Sequence, residues 1–410
     1  MRHKWDKVVL AFATLQLGFV LYSCKSTVPT VSLNEEMITP TSATGNTFPS
    51  PGPSSTSTLL SIIPSPSVKK TNSLTVESPL WVPKRLTVYA NQIRTLLFTQ
   101  DGYLWAGGPA GVTRWDEKTG EYLTYAIEGT RDKSQVQTLV ETSDNSLWIG
   151  TLGNGITQID PTATWKTLTQ EDGLPSNSID EILVSKEGYL WINVPKYAKD
   201  MNSDTWGTFG RYSGQGWERV MGGGFFKTAY DSDGFVWLVD YGPTDPTLSV
   251  HSRLFKLSEK DLTVEEIYLP ANGPILTALS IAPNGEVWIA SDKGVFRYDQ
   301  ERWENMNAPW INGSFPFVTA IKISNDGTAW FSFSDGAGMM GDCGANLGGE
   351  ERGVYRYDGR TWVQYTTADG LVSDKICDIA IGPDGDIWFG SFDQGISRFD
   401  GKNWVSYVIK

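Results

Sequence analysis

One phrase constrains this chain more than any other. A tight turn, mostly Asp-Gly or Asn-Gly, runs into a tryptophan with apolar residues on both sides. It occurs seven times: DGYLWAG (101–107), DNSLWIG (144–150), EGYLWIN (187–193), DGFVWLV (233–239), NGEVWIA (284–290), DGTAWFS (326–332) and DGDIWFG (384–390). The tryptophans, Trp105, Trp148, Trp191, Trp237, Trp288, Trp330 and Trp388, stand 43, 43, 46, 51, 42 and 58 residues apart. A period of about 40–50 residues marks a propeller or a solenoid.

Each repeat divides into four strands. Strand a holds the residue nine before the tryptophan (Leu96, Leu139, Ile182, Thr228, Leu279, Ile321 or Ile379), and the turn follows it. The Asp-Gly pairs suit a two-residue hairpin with positive φ. Strand b carries the tryptophan, strand c reads like GVTRWD or GISRFD, and strand d reads like YLTY or WVSY. Four-stranded antiparallel units repeated radially are propeller blades. A strand buried on both faces reads continuously apolar, so the tryptophans are expected in packing between blades. The expected fold is therefore all-β, a seven-bladed β-propeller of four-stranded antiparallel blades over residues 79–410. An eight-sheet count stays open, as does whether LTVYA (86–90) or the C-terminal WVSYVIK closes the ring.

On these residues the chain resembles the two-component regulator propeller family. That repeat reads roughly Asp-x-x-Gly-x-[Leu/Ile]-Trp-[Ile/Phe]-Gly-Thr and then x-Gly-[Leu/Ile]-x-Arg-[Tyr/Phe]-Asp; the copies at 101–116, 144–160 and 384–400 fit best. The resemblance implies an extracytoplasmic propeller of the kind found as the sensing part of hybrid sensor kinases. No membrane helix, kinase core or receiver follows in this sequence, so signalling itself is not carried over.

The N-terminus reads as a targeting segment. Basic MRHKWDK precedes an apolar run from Val8 to Leu21, too short to span a bilayer and suited to a signal peptide. Leu21-Tyr22-Ser23-Cys24 resembles the bacterial lipobox, although Tyr22 is bulky for its position. By that resemblance residues 1–23 are a lipoprotein signal peptide and Cys24 is the lipidated residue. An uncleaved anchor with an incidental cysteine is the alternative. In 25–78, Ser, Thr, Pro and Gly supply 31 of 54 positions, a composition that cannot offset its ordering entropy. Residues 24–78 are thus expected to form a disordered tether. Two other cysteines, Cys343 and Cys377, are permitted a disulfide outside the cytoplasm.

Formal net charge is −13, and removing residues 1–23 leaves 31 basic against 46 acidic residues. That balance argues against a nucleic-acid partner, which needs a basic surface. Membrane attachment is expected through the lipid anchor only.

Binding is expected on one face of the disc. From the tryptophan to the matching residue of strand c the distances are 10, 11, 21, 20, 10, 27 and 11 residues, so blades 3, 4 and 6 carry long b–c insertions on the same face. These hold Tyr197, Asp200, Asp204 and Trp206 in blade 3, Tyr241, Asp245 and His251 in blade 4, and Asp335, Met339, Met340 and Asp342 in blade 6; the d–a loop before blade 6 adds Trp310 and Phe315. Aromatics beside carboxylates stack on sugars or clamp peptides. Self-packing of the loops is the plainer reading. Asp200, Asn202 and Asp204 have the spacing of a calcium loop, but Thr205 and Arg211 replace its Gly and Glu. Ordinary turn chemistry is preferred, and no metal or cofactor is expected.

Past the signal peptide His251 is the only histidine. The streptogramin lyase type of propeller, whose repeats also read like GPDGDIWF, uses a histidine pair with a glutamate and magnesium; this chain lacks the pair. Two-carboxylate glycosidase chemistry stays open. The expectation is a non-catalytic, surface-anchored sensory or capture module whose partner is a glycan, peptide or small molecule, or a membrane sensor protein. The alternatives are a protein-interaction scaffold and, behind it, a hydrolase or lyase.

Overall fold

The computed structural model describes residues 91–109, 111–127, 135–195, 207–222, 225–240, 252–270, 274–309, 317–334 and 352–408. They form seven separate four-stranded antiparallel sheets, each built from four strands consecutive in sequence. Strands a contact one another in order around a closed ring, from Thr95–Phe98 of blade 1 to Ile376–Ile381 of blade 7 and back. The fold is a seven-bladed β-propeller.

The period of two along strand b decides how blades meet. The tryptophan of each blade points toward the next blade, and its two neighbours point back toward the previous one. Thus Trp191 joins Val236, Leu238 and Leu257 of blade 4, while Leu190 and Ile192 join Ile156 and Leu168 of blade 2. Seven such hydrophobic clusters occupy the seven interfaces, from Trp105 between blades 1 and 2 to Trp388 between blades 7 and 1. Six of the tryptophans are buried and Trp148 is half-buried.

The a–b turns differ from the expected two-residue hairpin. In blade 1 the Gly102 amide donates to Thr99 O (2.8 Å) and the Thr99 amide to Tyr103 O (3.0 Å), enclosing three loop residues with φ of 87° at the third. This is a tight turn followed by a left-handed residue that forms a bulge. The Asp-Gly pair fills its last two positions, so only the glycine needs positive φ. Asn145, at 62°, takes that place in blade 2.

Among the described residues the blade 7–blade 1 seam is closed without exchanging a strand. Trp404–Tyr407 completes blade 7 from the C-terminal side; residues 86–90 lie outside the described residues. Across the seam the Ile93 amide donates to Ser391 O (2.8 Å), the Gly395 amide to Asn91 O (2.9 Å), and Arg398 pairs with Glu117 (2.9 Å).

In blades 2 and 4 the residue six before the tryptophan satisfies the indole N–H. Thr142 Oγ1 accepts from Trp148 Nε1 at 3.3 Å and Asp231 Oδ2 from Trp237 Nε1 at 2.8 Å. Ala282 and Gly382 offer no acceptor, and Trp288 Nε1 and Trp388 Nε1 are buried with no partner. Replacing Ala282→Thr should supply the missing acceptor and raise unfolding free energy by about 1 kcal/mol, read as a higher urea midpoint at unchanged m-value.

Candidate functional site

Long b–c connections are present where the spacing places them. They run over 195–207, 241–252 and 335–353 in blades 3, 4 and 6, against two to four residues in the other blades. Their strand ends share the face at which every strand a begins. The expected site residues Tyr197, Asp200, Asp204, Trp206, Tyr241, Asp245, His251, Trp310, Phe315, Asp335 and Asp342, with Met339, Met340 and Cys24, all lie outside the described residues. On the same face two d–a connections repeat a Thr-x-x-Asp-Gly-Leu phrase, at 169–174 and 366–371. Each is one 3-10 turn closed by a reciprocal capping box, with Leu174 or Leu371 buried beneath it.

The central channel is a cavity of about 710 Å³ lined from strand a of all seven blades. That volume lies within the range of small-molecule sites, roughly 300–1,000 Å³. An innermost strand has no neighbour on its inner edge, so its amides need other acceptors. Side chains of the preceding blade supply three of them. Asp378 Oδ2 accepts from the Leu96 amide (2.8 Å), Thr138 Oγ1 from the Ile182 amide (3.4 Å) and Glu181 Oε2 from the Thr228 amide (2.8 Å). Asp378 Oδ1 also takes the Ile379 amide (2.8 Å), and Glu181 Oε2 the Thr228 hydroxyl (2.7 Å). These two acids are therefore committed to holding the ring.

The remaining charged lining consists of Arg94, Asp180, Lys227 and Lys322. Arg94 and Asp180 lie just ahead of their strands, hence near the face that bears the long connections; Lys322 is next to last in Phe317–Ile323, hence deeper. Burial pushes the Asp180 carboxyl up to about 7, against the opposing pull of Lys227; Glu181 adds to the rise and Arg94 resists it. Glu181 is raised for the same reason, opposed by Lys227, its Thr228 hydrogen bonds and Lys322. Asp180 is only half-buried by surface because it faces the lumen, yet protein surrounds it closely enough for desolvation to dominate.

Other conspicuous residues of the repeat serve the blades. Each tryptophan has a strand c neighbour across the sheet, and in six blades that residue meets the side chain two before the tryptophan. Arg114 stacks on Tyr103 (4.3 Å), Arg211 on Tyr189 (4.7 Å) and Lys256 on Phe235 (4.1 Å); Arg297 pairs with Glu286 (3.5 Å) and Arg398 with Asp386; Gln158 bonds Ser146 (3.3 Å). Where the strand c residue is basic, its partner in these blades is aromatic or acidic. Where it is glutamine, the partner is a hydroxyl. The acids Glu117, Asp384 and Asp386 have the spacing of a cation site, but the Arg398 guanidinium occupies their centre. The aspartate ending the Arg-aromatic-Asp phrase caps the c–d turn. Asp358 accepts from the Arg360 amide (3.0 Å) and from the Thr361 amide (2.8 Å) and hydroxyl (2.9 Å), and these hold its carboxyl down at about 2.

Sequence reasoning missed the channel charges. The available signal was a charged residue inside otherwise apolar strands a, as in SIDEILV (178–184) and VTAIKI (318–323). Cys377, also in the channel lining, is disulfide-bonded; Cys343 lies outside the described residues.

The protein is thus a member of the seven-bladed propeller class by fold. No family model matches the sequence, and no curated protein is a significant match. Among solved structures it is similar to PorZ, a bacterial surface component of the type-IX secretion system of Porphyromonas gingivalis (TM-score 0.54, 15% identity, covering 75% of this chain and 46% of that one). It is similar to a streptogramin B lyase (TM-score 0.53, 16% identity, covering 75% of this chain and 93% of that one). It is also similar to the extracellular domain of the one-component system BT4673 from B. thetaiotaomicron (TM-score 0.45, 15% identity), of which it spans 46% while 77% of this chain is covered. At these identities the likeness is one of fold.

Proposed function

We propose that the protein is an extracytoplasmic, lipid-anchored propeller that binds a small polar ligand or peptide as a non-catalytic sensory or capture module. The observation that carries this reading is the convergence of three long b–c connections on the face where a 710 Å³ charged channel opens. Binding groups concentrate on loops positioned by a rigid scaffold. A disulfide at Cys377 fits an oxidising compartment, as does the lipobox-like Leu21–Cys24 segment. The lyase-like fold does not favour catalysis here, because His251 is the one histidine beyond the signal peptide.

A rim scaffold is the second reading. The outward strands d expose Trp165, Val264, Val363 and Val405, which lie on four different blades. The test is a thermal-shift panel of glycans, peptides and metabolites on the full chain. We expect a saturable rise in Tm for at least one class, weakened in Trp206→Ala or Trp310→Ala. No shift across the panel gives precedence to the scaffold; turnover of chromogenic glycosides or lactones replaces the binding reading with an enzyme.

A further inference from the structure

Two opposite charges in the channel make no direct contact with a countercharge, although Lys227 and Arg94 act on Asp180, and Lys322 on Glu181, from farther away. Among the described residues the Asp180 carboxylate accepts no hydrogen bond and joins no ion pair, and neither does the Lys322 ammonium group donate or pair. Asp180 belongs to blade 3 and Lys322 to blade 6, so they stand on opposing sides of the lumen. They also sit at different depths. Relative to the strand a reference positions Ile182 and Ile321, Asp180 is two residues toward the mouth and Lys322 one residue beyond. At about 3.3 Å per residue this is an axial offset of roughly 10 Å, part of which the flexible lysine stem can span.

A charge in a narrow lumen without a directly hydrogen-bonded partner is costly to hold, and the attraction of Lys227 and Arg94 for Asp180, or of Glu181 for Lys322, is not a direct contact among the described residues. Lys322 is nonetheless close enough to bias the Glu181 carboxyl, so both charges act on one space. The other carboxylates offer no equal site, since Glu181 and Asp378 already accept hydrogen bonds from Thr228, Leu96 and Ile379. A molecule carrying both an ammonium and a carboxylate would satisfy both ends at once. At the depth of Lys322, Leu97, Val140 and Leu183 supply apolar wall for the carbon frame of such a molecule.

We propose that the channel binds a small zwitterion, a free amino acid or short peptide, whose ammonium group meets Asp180 and whose carboxylate meets Lys322. This rests on the channel-bearing face being the binding face. Binding needs Asp180 ionised among its neighbours Arg94, Glu181 and Lys227, with Lys322 and Asp378 elsewhere in the lumen. Affinity therefore rises as pH climbs through about 7, and complex formation at pH 6.5 releases a proton.

The test is calorimetry on the full chain with free amino acids and with Ala-Ala and Ala-Ala-Ala, each beside its N-acetyl and C-amide form. We expect saturable binding of a free form, loss of about tenfold or more on blocking either end, and a similar loss in Asp180→Asn and in Lys322→Met. Both variants should keep a Tm close to that of the wild type, since neither side chain makes a direct hydrogen bond or ion pair among the described residues. Observed heat should vary with the buffer's ionisation enthalpy at pH 6.5 and not in Asp180→Asn. No binding by any free form, equal binding of the blocked forms, or wild-type affinity in both folded variants overturns the proposal. Glycan binding through Trp206 or Trp310 with zwitterions silent overturns it too, while leaving the broader reading intact.

Discussion

Trp191→Ala should cost about 4 kcal/mol of unfolding free energy, within the range for truncating a fully buried large aromatic. Trp191 is entirely buried between blades 3 and 4 and stacks on Phe209 with ring centroids 5.3 Å apart. Its indole also donates to Glu259 Oε1 (3.3 Å), whose other oxygen takes the Tyr230 hydroxyl (2.6 Å). Truncation opens a cavity and leaves part of a buried carboxylate without its donor, so both terms have the same sign. Equilibrium urea unfolding followed by tryptophan fluorescence measures the effect. A loss below about 1 kcal/mol would mean that the inter-blade cluster is not where stability resides.

Gly155→Ala should destabilise by about 3 kcal/mol or more, the scale expected when positive-φ strain and a backbone clash combine. Gly155 opens strand c of blade 2 with φ of 71°, and a Cβ there would lie well inside contact distance of the Leu168 carbonyl at the end of strand d. Gly353 repeats this arrangement against Tyr365 O in blade 6. The control is Gly216→Ala, at a position with open space and no positive φ. It should be neutral or slightly stabilising. Thermal denaturation of the pair separates the two cases directly. The comparison also explains why the strand c phrase begins with glycine in blade after blade.

The sequence disclosed the blades because their physics repeats. A tryptophan sealed between sheets demands apolar neighbours on both sides, and seven copies of that demand are visible without coordinates. Strand d limits such as YLTY and WVSY matched Tyr122–Tyr125 and Trp404–Tyr407 for the same reason. The loop asymmetry was legible from spacing alone. Turn geometry was not, because an Asp-Gly pair serves two-residue and three-residue hairpins alike; the hydrogen bonds of Thr99 and Gly102 distinguish them. Asp180 and Lys322 were hidden for a different reason. Each looks like an isolated charge in its own strand, and only closure of the ring brings blades 3 and 6 to the same lumen. Arg398 drew no attention in the sequence, because its cluster with Glu117, Asp384 and Asp386 is complete only at the joint where blades 7 and 1 meet.

That joint shapes how the molecule carries mechanical load. Among the described residues no strand is shared across it, and the first and last blades are fastened by two backbone hydrogen bonds, the Asp378 carboxylate on the Leu96 amide, one guanidinium and the Trp388 cluster. Tension arriving along the N-terminal side of the chain enters at Asn91 and Ile93, the very residues that clasp Ser391 and Gly395. The ring should then give way there first, like a bracelet pulled at its catch, with the other six blade contacts still intact.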